Sequence, residues 1–581
     1  MRVSVSFEAA MASSMAVCRL HLTGRRNLIK YLKQVNTLVR RSTGTNAVAT
    51  KSDTLRKEDP DEKVGPQSLY DVLEKRQEQA ERSVLLSCLT KTKEKKLLNY
   101  LTKHGDIKKY FFYESYGVYA VVEYASQDSV SSLMEDAGFP SVSHASVVPF
   151  KSRLLSLRNL SSPDSPDKTH LCQPQTPIPI SELIQRLSRE ESIDQQITSL
   201  TEAYQLTDEN IRLRFLVCSL LKDVAAAYFP ECTIKPFGSS VNGFGKLGCD
   251  LDMFLDLDSI SGKKTKRPKS GLFVEYQMKE ANSERAVTQS ILSVIGECVD
   301  QFGPGCVGMQ KILNARCPLV RFAHQPSGFQ CDLTANNRVA MKSTELLYLY
   351  GELDPRVRSL VFTVRCWARA HGITSNIPGA WITNFSLTVM VLFFLQNRNP
   401  PIIPTLNQLR DLAGPADKSV IEGNDCTFVS DFSKIQLQSN TETLGELLNE
   451  FFEFFSIFAF NRLSLSIRTG QEHRKSDLGP MHIQNPFETS LNVSKNVNIA
   501  QLDRFVAMCQ ESAWLLQNRG TTRPSVASDY SPATPWGLAN LLLPSQVAGV
   551  QSRKKRKREP ASERIKSLLD SLKMNNTQKN S

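Results

Sequence analysis

The strongest constraint on this chain is one stretch, Phe237-Gly238-Ser239-Ser240-Val241-Asn242-Gly243-Phe244-Gly245-Lys246-Leu247-Gly248-Cys249-Asp250-Leu251-Asp252. A turn of small residues runs into an alternating apolar segment. If Cys249 to Leu257 is a strand, its period of two puts Asp250 and Asp252 on one face. Two carboxylates that close, partly shielded from water, call for a counter-charge. Mg2+ (or Mn2+) suits them, because oxygen ligands fit such an ion and substrate phosphates can complete its octahedron. Gly238 lets backbone N–H groups approach a phosphate, and Ser239 adds a hydroxyl donor. A lone Gly-Ser or a lone Asp-x-Asp carries little weight; the ordered combination, with ten residues between Ser239 and Asp250, carries much more. Asp256 and Asp258 keep the same parity but sit at the strand's end beside a lysine-rich loop, and read as solvated turn residues.

A site that holds two metals needs a further carboxylate. Two alternating apolar segments, Gln310 to Asn314 and Pro318 to Phe322, lead to Gln330-Cys331-Asp332-Leu333. Asp332 is flanked by apolar residues on a short strand, the setting expected of a carboxylate beside the first pair.

Charge must be located before it is used. The net charge of +12 sits at the two ends: residues 1–52 carry +8 and residues 551–581 carry +7, which leaves −3 for residues 53–550. Any grip on nucleic acid in the body therefore comes from local patches. One such patch is the loop Lys263, Lys264, Lys266, Arg267 and Lys269, which reads either as an RNA-backbone contact or as a solvated loop. The thirteen cysteines include no Cys-x-x-Cys pair and the eight histidines supply no ligand spacing, so zinc is not expected. The longest apolar runs, Phe385–Leu395 and Leu447–Phe460, are too short or too interrupted to cross a bilayer, and no membrane insertion is expected.

Residues 1–50 scatter arginine and lysine among Leu, Val, Ser and Thr with almost no acids, as a mitochondrial transit peptide does; a basic RNA-binding arm is the alternative. Residues 55–82 predict a connecting helix. From Val84 the pattern predicts β-α-β-β-α-β through Phe150, with strands at 84–89, 107–114, 117–124 and 143–150. That order is similar to an RNA-recognition-motif domain, but Leu85 and Val121 stand where stacking aromatics belong. Without those rings the sheet offers RNA no stacking faces, and protein contact, including self-association as a homodimer, is as good a reading. Residues 151–180 are polar and proline-rich, a linker. A long helical lead-in, 181–235, precedes a region 236–350 containing the carboxylates; 351–517 reads as mainly helical and 518–581 as a mobile basic tail with one short helix at Ser562–Met574.

From about Leu183 to Gln517 the chain resembles the non-canonical poly(A) and terminal uridylyl polymerases of the polymerase-β nucleotidyltransferase superfamily. The resemblance rests on the Gly238-Ser239…Asp250-Leu251-Asp252 block, on Ala315-Arg316-Cys317-Pro318-Leu319-Val320 leading to Asp332, and on Asn336-Asn337. It also rests on Phe362-Thr363-Val364-Arg365-Cys366-Trp367-Ala368-Arg369 and on Ile483-Gln484-Asn485-Pro486-Phe487-Glu488. It implies an α+β fold: an RNA-recognition-motif-like module, a polymerase-β-like palm of mixed sheet and helices, and a largely helical poly(A)-polymerase-associated domain.

The resemblance also implies roles. Asp250 and Asp252 would bind both metals and Asp332 the one that activates an RNA 3'-hydroxyl. Gly238 and Ser239 would meet the triphosphate, Asn337 and Thr344 the ribose or base, Arg365 and Arg369 the outgoing phosphates, and Phe385 the face of the base. The family usually has Lys where Arg365 and Arg369 stand, Tyr at Phe385 and Ser at Asn384. Uridylyl-specific relatives often carry His where this chain has Leu491; leucine cannot hydrogen-bond a uracil carbonyl, which favours ATP, with Asn485 and Glu488 as neighbours able to rebuild selectivity. The expected activity is template-independent addition of AMP from ATP to the 3' ends of mitochondrial RNAs. The basic run Arg553–Arg558 argues instead for a nuclear or cytoplasmic polymerase or uridylyltransferase, and a catalytically silent RNA-binding or dimerising subunit is the alternative of another class.

Overall fold

The computed structural model describes residues 67–88, 94–136, 152–156, 172–257 apart from 227, 228, 230 and 231, 283–518 apart from 336 and 378, and 534–544. The predicted transit peptide, the basic loop at 263–269 and the basic tail with its short helix lie outside these residues.

The first unit opens with helix α1 (Leu69–Glu81), N-capped by Ser68, and continues as β1 (Ser83–Cys88), α2 (Glu94–Leu101), β2 (Ile107–Glu114), β3 (Val118–Tyr124) and α3 (Gln127–Asp136). Elements one to five of the expected β-α-β-β-α-β are therefore present; the last strand, expected at 143–150, lies outside the described residues. The segment read as a linker contributes two short strands, β4 (Leu154–Ser156) and β5 (Cys172–Gln173), and the sheet order is β4-β1-β3-β2-β5. A crossover through α3 would bring β4 back parallel to β3, hence antiparallel to β1; instead β4 runs parallel to β1, with Leu154 beside Leu85. The sheet therefore departs from the recognition-motif pattern at its fourth strand.

Both faces of this sheet are covered. Val84, Leu86, Phe112, Ala120 and Val122 pack on Leu97, Leu101, Val130 and Leu133 of α2 and α3. The opposite face, with Leu85, Phe111, Tyr113 and Val121, packs into the next unit. Nearly continuous apolar runs such as Ala120-Val121-Val122 are what a doubly covered strand requires.

The lead-in expected as one helical stretch is three helices, α4 (Ile180–Leu187), α5 (Ile193–Tyr204) and α6 (Asp208–Ala225). The breaks fall at Ser192, which forms a capping box with Gln195, and at Thr207, whose side chain accepts from the Asn210 N–H. The second sheet contains β6 (Thr233–Pro236), β7 (Leu251–Asp256), β8 (Cys306–Ile312), β9 (Leu319–His324) and β10 (Phe329–Ala335), in the order β6-β7-β10-β9-β8, with α7 (Glu284–Phe302) between β7 and β8. β7 and β10 are parallel; the other neighbours are antiparallel. Leu213, Leu216, Val217 and Leu220 of α6 join the apolar residues of both sheets in one core.

The remainder is mainly helical: α8 (Arg338–Leu353), α9 (Pro355–Ala370), α10 (Asn384–Gln396), α11 (Leu406–Asp411), α12 (Leu444–Ile457) and α13 (Ile499–Asn518), with two small hairpins at 420–425 and 463–474. Helix α10 is apolar all round and buried from Ser386 to Gln396, the central rod of this core. No described helix is long and apolar enough to cross a membrane.

The segment around 534–544 corrects the expectation of a mobile region. Trp536 is buried and donates from Nε1 to the Ser188 carbonyl at 3.2 Å, and α14 (Gly537–Leu541) follows it. Gln196 holds this strap from both sides, donating to the Trp536 carbonyl at 3.3 Å and accepting from the Leu538 N–H at 2.7 Å.

Candidate active site

The small-residue turn forms a single 3-10 turn, Gly238–Ser240, between β6 and β7. Gly238 has φ +61°, and a Cβ there would lie 3.2 Å from an Asp252 carboxylate oxygen, so glycine satisfies both a left-handed backbone and a close approach. Its N–H donates to Thr344 Oγ1 at 2.9 Å, and that hydroxyl donates in turn to the Ala340 carbonyl at 2.8 Å. Thr344, expected to touch ribose or base, thus pins the turn to α8.

Beneath the turn lies a residue that the sequence reading passed over. Arg214 on α6 is fully buried and donates to Ser240 Oγ at 2.9 Å, to the Asp250 carbonyl at 2.9 Å and to the Cys249 carbonyl at 2.7 Å; Nε reaches Asn210. Its guanidinium also stacks 4.6 Å from the Phe329 ring centroid. One side chain therefore fixes the turn and the entry to β7 together. The signal was a charge embedded in Leu213-Arg214-Phe215-Leu216.

Asp250 stands one residue before β7 and Asp252 is the second residue on it; Asp332 on β10 is in direct register with Asp252. Burial, and then the neighbouring acids, raise the proton affinity of Asp250 and push the Asp252 carboxyl up to about 7. An anionic cluster so strained by its own charge fits a divalent cation. Asp332 already has a counter-ion: Arg321, opposite on β9, grips the carboxylate with both arms, Nε to Oδ1 at 2.7 Å and Nη2 to Oδ2 at 2.6 Å. Among the described residues no three His, Cys, Asp or Glu side chains stand close enough together to share an ion.

The turn and the first two acids open into a cleft of about 810 Å³ between the palm and the helical region. Gly238, Ser239, Asn337, Thr344, Arg365, Arg369, Phe385, Asn485 and Glu488 all line it; Asp332 and Leu491 do not. Arg365 and Arg369 share one face of α9, but they are differently committed. The half-buried Arg365 spends its donors on the carbonyls of Phe244 and Asn384 and on Thr388 Oγ1, and desolvation lowers its pKa to about 10. Arg369 makes one bond, to Asn376 at 3.2 Å. A third cation, Lys246, lines the same cleft, and its ammonium is made more acidic by burial and by Arg369.

At the cleft's other wall, Asn485 Oδ1 accepts from the N–H groups of Phe487 and Glu488, both at 3.0 Å, and so shapes the loop that carries Glu488. The Glu488 carboxylate is paired with Arg316 of the palm. Leu491 closes that loop through its backbone, bonded to Glu488 and Asn485. Asn337 Nδ2 donates to the Cys317 sulfur at 3.1 Å.

A palm sheet that carries carboxylates on two adjacent parallel strands, next to a glycine-serine turn, defines the nucleotidyltransferase class. Models of three families match in chain order: the RL domain at 68–138, the mitochondrial-like poly(A) RNA polymerase central palm domain at 193–352, and the Cid1 family poly A polymerase domain at 443–493. The chain is 56% identical to mouse "Poly(A) RNA polymerase, mitochondrial" over 507 residues (87% of this chain, 86% of that one) and 54% identical to the human protein over 518 (89% and 88%). The crystal structure of mtPAP in complex with ATPγS superposes with a TM-score of 0.76 at 53% identity, covering 82% of this chain and all of that one. The chain belongs to the family of mitochondrial poly(A) RNA polymerases.

Proposed function

We propose that this chain adds AMP from ATP, without a template, to the 3' ends of RNA in the mitochondrial matrix. The observation that carries the reading is the placement of Asp250 and Asp252 at the start of β7 beside Asp332 on the neighbouring β10, with the Asp252 carboxyl pushed up to about 7 by its surroundings. Asp250 and Asp252, joined by Asp332, would hold the divalent ion, Mg2+ or Mn2+. Bound there, such an ion neutralises the cluster and lowers the pKa of the RNA 3'-hydroxyl. That hydroxyl attacks the α-phosphate in line, a new phosphodiester forms, and pyrophosphate leaves.

The chain's own residues orient this exchange. Ser239 and the turn receive the triphosphate. Arg369 and Lys246 have donors to offer the outgoing phosphates, whereas Arg365, committed to the fold, contributes charge. Phe385 offers a ring to the base and Asn337 an amide to the ribose. Base choice falls to Asn485 and Glu488, since Leu491 does not line the cleft. Residues 1–50 serve as the import signal. The N-terminal module, its sheet closed on both faces, serves protein contact, including self-association into a homodimer, which sedimentation of the purified protein tests.

The deciding experiment incubates the purified protein with a short RNA and each nucleoside triphosphate in turn. Extension by ATP is expected; preferential use of UTP overturns the assignment. Failure of residues 1–50 to direct import into isolated mitochondria overturns the compartment.

A further inference from the structure

The bidentate pair between Arg321 and Asp332 has no role in the reading above, and three observations bear on it. First, register: Arg321 on β9, Asp332 on β10 and Asp252 on β7 lie side by side across three adjacent strands, so the guanidinium stands at the outer end of the acid row. Second, exposure: the Arg321 side chain is 45% exposed while that of Asp332 is 15% exposed, so the cation can swing outward and the acid cannot. Third, charge: the body of the chain between the basic ends is net negative, so contact with RNA depends on individual cations placed where the strand must pass.

We propose that Arg321 is a positioning residue with two alternating partners, the Asp332 carboxylate in the resting enzyme and the terminal phosphodiester of the RNA primer in the engaged one. With Asp332 holding a divalent ion, the guanidinium would be repelled at short range and would lose its carboxylate partner. The freed fork, held on the strand next to Asp332, is a planar bidentate donor matched to a phosphate. Binding of metal and seating of primer are thereby linked: each removes Arg321 from Asp332, and each favours the other. This rests on the proposed role of Asp332.

The test compares the full-length protein with R321Q and R321K. In RNA-free protein, Mn2+ titration followed by electron paramagnetic resonance should give about tenfold tighter binding for R321Q, because the competing cation is gone. In extension assays the KM for RNA should rise about tenfold in R321Q while the KM for ATP stays within about twofold, one charge-assisted contact having been lost on the primer side. R321K, which keeps the charge without the fork, should retain the weak Mn2+ binding and recover only part of the RNA affinity. Unchanged Mn2+ affinity in R321Q, or an RNA KM that does not move, overturns the proposal. The Mn2+ titration needs no polymerisation, so its result stands apart from failure of the wild-type chain to extend RNA, which breaks the proposed function instead.

Discussion

The two five-stranded sheets of this protein share a helix and differ in what they leave open. In the first, β4-β1-β3-β2-β5, helices α2 and α3 cover one face and α6 the other. In the second, β6-β7-β10-β9-β8, α6 again packs on one face, but the alternate positions Asp252, Asp332 and Arg321 point away from that core. Period two allows either outcome; what decides is whether the second face meets another helix. The covered sheet has become a wall. The uncovered one has kept charges that burial would forbid unless paired.

The largest effect expected of any change belongs to the open sheet. Asp252→Asn should lower RNA extension at least about a thousandfold with the fold retained, as loss of a carboxylate on which the reaction depends would; circular dichroism checks the fold and a primer-extension assay the activity. The same variant carries a stability signature. A carboxyl whose folded pKa is raised binds more protons folded than unfolded, so it weakens the metal-free fold as pH rises from about 4 to about 7. Asp252→Asn should therefore melt higher than the wild-type protein at pH 8 without metal, and show no advantage at pH 4.

Next comes the shared helix. Arg214→Met removes the fork that fixes turn and strand, and should cost about 3 kcal/mol in urea unfolding, since buried carbonyls and the Ser240 hydroxyl lose their donor. Extension should fall with it; normal activity would mean that the turn holds itself. The covered sheet gives a smaller and more pointed test. Val121→Phe restores the aromatic that an RNA-binding sheet carries, but Val121 is buried under α6. The change should cost about 1–3 kcal/mol by overpacking and add no RNA affinity; tighter RNA binding would show that the face can open. Smallest is Asp208→Asn, which breaks the pairs with Arg76 and Lys109 that join the module to α6, and the pair with Arg212 one turn along the same helix. Their combined pull holds the Asp208 carboxyl below its usual range, so this stabilisation is present at neutral pH and lost as the pH falls. The expected cost at pH 7 is under about 1 kcal/mol, these groups being partly exposed.

What could be read from the sequence follows the range of the interactions. The Gly238-Ser239 turn, Asp250, Asp252 and Asp332 were legible because acids in an alternating apolar run leave a local mark. Arg214 and Arg321 were not, because their partners are polar groups on other elements, and Lys246 was not, because the cleft it lines is assembled from distant segments. The commitment of Arg365 to the Phe244 carbonyl, far along the chain, hides in the same way behind a helical spacing that looks like a phosphate clamp. The strap at 534–544 was lost in a Pro-, Ser- and Thr-rich context, although Leu538, Leu541 and Leu542 repeat as a helix face does. In the module, Leu85 and Val121 were seen as missing aromatics; that α6 occupies their face is tertiary information.

The Trp536 strap also sets an order of assembly. Its partner carbonyl, Ser188, lies 348 positions earlier, and Gln196 is bracketed by the same late segment. Helices α4 and α5 thus stay unsealed until nearly the whole body exists, and closing so long a loop is slow. Until residues 534–544 are in place the clasp is open, and an unsealed stage of that kind exposes the apolar surface that chaperones bind.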